Sequence, residues 1–159
     1  MAALEPQYTA ILKGVLAERF VPLLPPLLDT SKPVADQQAK QLSRAFSAFV
    51  LQKLLDVSPQ VASAAVVDDF NDKGIDAVHY DEKSETLYLL QTKLKESEQF
   101  NQVDALPFCE GVRLLIRQDL VGFNQNFQNR KAEIEAALDG CSHIKLVVPY
   151  TGDGISNTA

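Results

Sequence analysis

Residues 68–93 read DDFNDKGIDAVHYDEKSETLYLLQTK, and the order of residue types within them decides what sheet the chain can build. Asp and Asn crowd the first positions around Gly74, a loop composition. Two runs rich in strand formers follow, IDAVHY at 75–80 and TLYLLQTK at 86–93, separated by the polar DEKSE. This pattern predicts an antiparallel hairpin. A two-residue turn at Lys83-Ser84 sets a register in which Tyr80 meets Leu87, Val78 meets Leu89 and Asp76 meets Gln91.

Directly opposed residues have Cβ atoms about 4.5–5.5 Å apart, and Gln91 and Lys93 share a strand face by alternation. One face is therefore expected to gather the Asp76 carboxylate, the Gln91 amide oxygen and the Lys93 ammonium. Those types suit phosphodiester hydrolysis. Hard oxygen ligands hold Mg²⁺ or Mn²⁺, the ion neutralises phosphate charge and acidifies a water, and a lysine orients or deprotonates that water. The Thr92 backbone carbonyl is a further candidate metal oxygen at a frayed or bulged strand. The plain alternative makes Asp76 a strand-edge residue and Lys93 its salt-bridge partner.

Outward from the hairpin, apolar residues at helical spacing (Leu4, Tyr8, Ile11, Leu12, Val15, Leu16) predict a helix to about Phe20, stopped by Pro22, Pro25 and Pro26. Thr30 or Ser31 caps a second helix with Pro33 in its first turn, and Leu42, Phe46, Phe49, Val50 and Leu54 carry its stripe to about Val57. It should be the longest. Ser58-Pro59 opens a shorter segment through Val66. After the hairpin, 99–119 is predicted helical with a break at Pro107. A second helix is expected over 123–138 with Gly140 past its end, and HIKLVVP at 143–149 reads as a strand buried on both faces. The polar TGDGISNTA holds no core signal.

An Asp entering one strand and Gln-x-Lys leaving its partner, here Asp76 and Gln91-Thr92-Lys93, resembles the Gln-x-Lys variant of the PD-(D/E)xK nuclease superfamily. The whole string 68–93 is similar to the Gly-Ile-Asp and Gln-x-Lys blocks of Mrr-like restriction enzymes. It is still more similar to the N-terminal domain of abortive-infection phage-resistance (AIPR) proteins, the likeness covering roughly 42–150. The resemblance implies an α/β, restriction-endonuclease-like core: a small mixed central sheet flanked by helices and preceded by an N-terminal helical extension. It divides the chain into 1–30 (helix and proline-rich connector), 31–150 (nuclease-like domain) and 151–159 (a polar tail leading on to a further C-terminal region). It implies a metal-dependent nuclease of phage defence or restriction, with Asp76, Gln91 and Lys93 catalytic, Asp76, Gln91 and Thr92 on Mg²⁺ or Mn²⁺, and Lys73 and Lys95 flanking for phosphate. One departure matters. Where Mrr-like helices carry a Phe-Glu pair whose Glu completes the site, this chain reads AFSAFVLQKLL and places Ser47 after Phe46. The missing ligand comes from Asp68, Asp69 or Asp72, or is absent; in the latter case the domain is a catalytically inactive nuclease-fold module for nucleic-acid or protein binding. A small regulatory domain with an unrelated hairpin is a third reading.

The chain has 159 residues, 46% hydrophobic, and a formal net charge of −6, which suits one packed core and argues against a broad nucleic-acid-coating surface. The acid is concentrated: residues 61–100 hold nine Asp and Glu against four Lys, a pattern that can signify cation binding or simply a set of solvated turns. No apolar run approaches the roughly 20 residues needed to span a bilayer, and the N-terminus lacks a signal-peptide pattern, so no membrane and a cytoplasmic location are expected. Cys109 and Cys141 lack metal-ligand spacing and read as two buried, reduced thiols. His79 is expected on the strand face opposite Asp76, packed under a helix, and His143 at the surface. DNA is the expected partner, RNA the related one, and a homodimer is the assembly that cuts two strands.

Overall fold

The computed structural model describes residues 3–96 and 98–156. Its helices are α1 (Pro6–Arg19), a 3-10 turn (Val21–Leu23), α2 (Val34–Leu55) and α3 (Pro59–Ala64), then α4 (Gln102–Ile116), α5 (Gln125–Gln128) and α6 (Lys131–Gly140). Between and after them run β1 (Ala77–Asp81), β2 (Thr86–Leu90) and β3 (His143–Val147). The strands form one mixed sheet in the order β1-β2-β3, β1 antiparallel and β3 parallel to the central β2. The protein is thus α/β, with helices on both faces of a small sheet.

Alternation along β2 divides the core. Leu87 and Leu89 join Val78 beneath Phe108, Val112 and Leu115 of α4, Phe127 of α5 and Ile134 of α6. Tyr88 and Leu90 join Ala77 beneath Leu16 of α1, Ala45, Ala48 and Leu51 of α2 and Ala62 of α3. Each fully buried leucine of β2 contributes about 1.5–3 kcal/mol by leaving water, so central burial of this strand anchors both layers. α1 is built into the second layer through Leu16, which is fully buried.

Register follows expectation, with Val78 opposite Leu89 and Tyr80 opposite Leu87. The turn differs: pairing stops at Asp81 and Thr86, leaving four connecting residues, with Glu85 in the left-handed region (φ 48°). Asp81 holds this longer turn by accepting from the Lys83 N–H at 3.3 Å and the Ser84 hydroxyl at 2.5 Å. Among the described residues α2 is the longest helix, but Pro33 is its N-cap and no side chain caps it; Ser31 instead bonds to Asp29. Ser58 does cap α3, accepting from the Val61 N–H.

Further differences have local causes. α4 runs through Pro107 unbroken: the missing N–H would have served the carbonyl of Val103, a residue 79% exposed, which solvent can satisfy. The helix expected over 123–138 is two, because Asn124 caps α5 and Arg130, with φ −110° and ψ 8°, turns its guanidinium to the carbonyls of Ala65 and Val78. Gly140 is the last residue of α6, not the one beyond it. β3 is not buried on both faces: Ile144 and Leu146 are 37% and 54% exposed, since α4–α6 pack over β1 and β2 and leave this edge strand uncovered. Cys109 is exposed and Cys141 half-buried, so the two thiols are not both in the core. Residues 151–156 return beside 93–96 and 98–100, Thr151 bonding at Lys93 and Lys95 and Phe100 bridging Ile155.

Candidate functional site

The site begins where β1 begins. Val66 bridges Ala77, and the carbonyl of Asp76 accepts from the N–H groups of Val67 (2.9 Å) and Asp68 (3.0 Å) while its own N–H donates to Leu90 (2.7 Å). This clamp lays Asp68 alongside Asp76. The intervening loop turns through Asn71, Lys73 and Gly74, all with positive φ, and Asp72 closes it by accepting from the Gly74 N–H at 2.7 Å. One carboxylate oxygen from each of Asp68, Asp72 and Asp76 then lies within 4.8 Å of the others.

This loop is seated on α4 by two glycines. A Cβ on Gly74 would stand 2.5 Å from the backbone of Pro107 and Phe108, and one on Gly111 would stand 2.1 Å from the Lys73 carbonyl oxygen. Backbone meets backbone here, so the position of Asp72 and Asp76 depends on α4 as much as on the hairpin.

Residues 91–93 continue past β2 with alternating direction. Thr92 faces α2: its N–H and hydroxyl donate to one Asp76 oxygen at 2.6 and 3.0 Å, and its hydroxyl lies 2.7 Å from that of Ser47. A hydroxyl has one proton, so with Thr92 donating to Asp76, Ser47 donates to Thr92. Gln91 and Lys93 face the other way, toward the start of α4. The Gln91 amide N–H donates to the Asp104 carbonyl at 2.8 Å, and the Lys93 ammonium is 3.7 Å from the Asp104 carboxylate. Asp76 therefore meets Thr92 and the two loop acids, while Gln91 and Lys93 meet at Asp104. The Gln91 side-chain oxygen is buried without a hydrogen-bond partner among the described residues. Lys73 is half-buried, and Lys95 pairs with Glu98.

One group in the site was not anticipated. Lys40 of α2 reaches Asp68 in a partly buried ion pair. Burial works against its charge, but Asp68, and behind it Asp72 and Asp76, outweigh that and raise its pKa. Its spacing carried a signal: Lys40, Arg44 and Ser47 stand at i, i+4 and i+7 on α2, where an apolar stripe is the rule. Arg44 is fully buried, bonded to Gln41 and the Pro25 carbonyl. Asp69 turns away from the cluster, accepting from the N–H groups of Leu28 and Phe70. His79 is half-buried near Arg130 and Glu133, and burial lowers its pKa.

The donor set fits a hard divalent cation. Oxygens at about 2.1–2.6 Å from an ion are at most about 4.2–5.2 Å apart across it, the span these carboxylates offer, and the cluster can hold a metal ion. Like charges crowded out of water resist ionising. Burial, then the Asp68 charge, pushes the Asp72 carboxyl up to about 7; burial, then Asp68 and Asp72, pushes Asp76 well above the usual carboxylate range.

A pH dependence follows. Between the ordinary carboxylate pKa near 4 and about 7, the folded chain retains a proton on Asp72 that the unfolded chain has released, so stability falls as pH rises through that window. Without divalent ion, the melting temperature is expected to be lower at about pH 8 than at about pH 5, and Asp72→Asn should flatten the profile. A scan of melting temperature against pH checks this; an unchanged slope in the variant removes Asp72 as the cause.

Among the described residues, no helix is long and apolar enough to cross a membrane. No family model, no curated protein and no solved structure matches this chain.

Proposed function

We propose that this domain hydrolyses phosphodiester bonds in nucleic acid with Mg²⁺ or Mn²⁺ at the Asp68, Asp72 and Asp76 cluster. The observation that carries this reading is the meeting of three carboxylates, Asp68 and Asp76 buried and Asp72 partly so, with the Lys40 ammonium against them, at the end of the Asp76 and Gln91-Thr92-Lys93 hairpin. A divalent ion there supplies charge neutralisation at the phosphate and an acidified water. The chain's own groups do the rest. Thr92 holds the Asp76 carboxylate in orientation, with Ser47 behind it. The Gln91 side-chain oxygen, without a hydrogen-bond partner among the described residues, would become a further ligand only by turning from Asp104, where its amide is now held. Lys93, its side chain 30% exposed, leaves Asp104 to orient water. DNA is the proposed substrate, RNA the alternative. Cytoplasmic phage defence or restriction is the setting the motif resemblance supports, and a homodimer would allow both strands of a duplex to be cut.

A second reading, a metal-binding module without catalysis, is favoured by Ser47 standing where related sites carry Glu and by the Lys93–Asp104 pairing. One experiment separates them. With Mn²⁺ the protein should nick plasmid DNA, and Lys93→Ala should lower the rate about a hundredfold or more. Its melting temperature should stay within a few degrees, because a single ion pair as long as 3.7 Å with a partly exposed lysine contributes only about 0–1 kcal/mol. Mn²⁺ binding by calorimetry with no cleavage of DNA or RNA would establish the second reading instead.

A further inference from the structure

Next to the acidic cluster, α2 and the connector before it border a cavity of about 260 Å³ whose lining includes Phe70 and Leu27, the carboxylates of Asp29, Asp36 and Asp69, and the ammonium groups of Lys32 and Lys40. Lys40 belongs to both places, since its ammonium pairs with Asp68 of the cluster. Phe70 sits in the loop that carries the acids, two residues from both Asp68 and Asp72, yet is 54% exposed while Asp68 and Asp69 before it are buried. That exposure is built. The Asp69 carboxylate accepts from the Phe70 N–H at 2.9 Å and from the Leu28 N–H at 2.8 Å, pinning the loop to the connector with the phenyl ring outside.

The lining selects the occupant. An apolar side chain seated on Phe70 would lie among the charges of Lys32, Asp36, Lys40 and Asp69, which favour a group with an apolar face and a polar edge. A nucleobase is such a group: its π-face stacks on an aromatic ring, and the exocyclic amine of cytosine or adenine is a donor for a carboxylate such as Asp36. Lys40, shared by the cavity and the cluster, is the cation that an adjoining phosphate would meet. Bases inside a duplex have both faces covered by their neighbours, so only an unpaired or extruded base can stack.

We propose that Phe70 is a stacking platform for an unpaired base of single-stranded nucleic acid whose adjoining phosphate lies at the Asp68, Asp72 and Asp76 cluster. This rests on the phosphodiesterase reading and narrows its substrate class to single strands. The chain contains no tryptophan, so Phe70→Trp supplies a lone indole at the platform, which red-edge excitation selects over the four tyrosines. In Ca²⁺, a hard cation that carboxylates accept, a mixed-sequence single-stranded oligonucleotide should quench its emission, whereas an abasic strand of equal length and a duplex should not. Phe70→Ala should weaken single-strand binding about tenfold with melting temperature and Mn²⁺ affinity unchanged. Equal quenching by the abasic strand, quenching by duplex, or undiminished single-strand binding in Phe70→Ala would overturn the proposal. The two readings fail separately. Quenching by single strands with no cleavage in Mn²⁺ keeps the platform and removes hydrolysis, while single-strand cleavage and binding that ignore Phe70→Ala keep hydrolysis and remove the platform.

Discussion

Gly74→Ala is expected to destabilise the protein by about 3 kcal/mol or more, a fall in melting temperature of roughly 6–12 °C for a chain of this size. Two costs add. Gly74 has φ +76°, a conformation that costs an L-residue about 1–2 kcal/mol. Its new Cβ would also stand 2.5 Å from the backbone nitrogen of Phe108 and the carbonyl carbon of Pro107. No rotamer relieves a backbone contact, so loop and α4 must separate. Gly111→Ala attacks the same seam from the helix side, with its Cβ 2.1 Å from the Lys73 carbonyl oxygen, and should behave alike. Because this seam seats Asp72 and Asp76, both variants should also lose Mn²⁺ affinity at temperatures where they remain folded. Gly14→Ala is the control: nothing among the described residues lies within 4 Å of its Cβ, and removing a glycine from the interior of α1 should stabilise by about 0.5–1 kcal/mol. A Gly74→Ala protein that melts with the parent would mean that the loop does not rest on α4.

Asp76→Asn should abolish cleavage and weaken Mn²⁺ binding about a hundredfold or more, yet leave the fold as stable as before or more so. The asparagine oxygen can still accept from the Thr92 N–H and hydroxyl that hold Asp76 now. Its amide can donate toward Asp68 and Asp72, whose charges oppose ionisation of Asp76. Removing a charge that burial and two like neighbours already disfavour takes away a cost, and the gain should be larger at about pH 8 than at about pH 5. Calorimetric Mn²⁺ titration beside thermal unfolding reads both effects. If the variant instead melts well below the parent and keeps its metal, Asp76 is a structural residue.

Some of this could be read from neighbouring residues alone. The hairpin register came from two-residue alternation around a polar turn, and neither the longer turn nor the left-handed Glu85 altered it, because a one-residue slip would move Leu87 and Leu89 to the wrong face. The limits of α2 and α3 lie near Pro33 and Ser58-Pro59, where proline and cap chemistry act within one turn. Asp76 was recognisable as a candidate from residue type and spacing, whereas Asp68 and Asp72 entered only through the family resemblance, and Thr92 was expected to use its carbonyl and instead uses its N–H and hydroxyl.

What local pattern could not settle was which tips meet. Asp76 turns to Thr92, Asp68 and Asp72 because segment 66–68 pairs with the start of β1 and α2 delivers Ser47 and Lys40 from more than twenty residues away. Gln91 and Lys93 turn to Asp104 because α4 begins there. The split at Arg130 and the bare face of β3 are likewise decided by what packs opposite them. Periodicity sets the direction in which a side chain leaves its own backbone, whereas convergence depends on separations between distant segments. Those separations are set only when the two apolar layers close on β2.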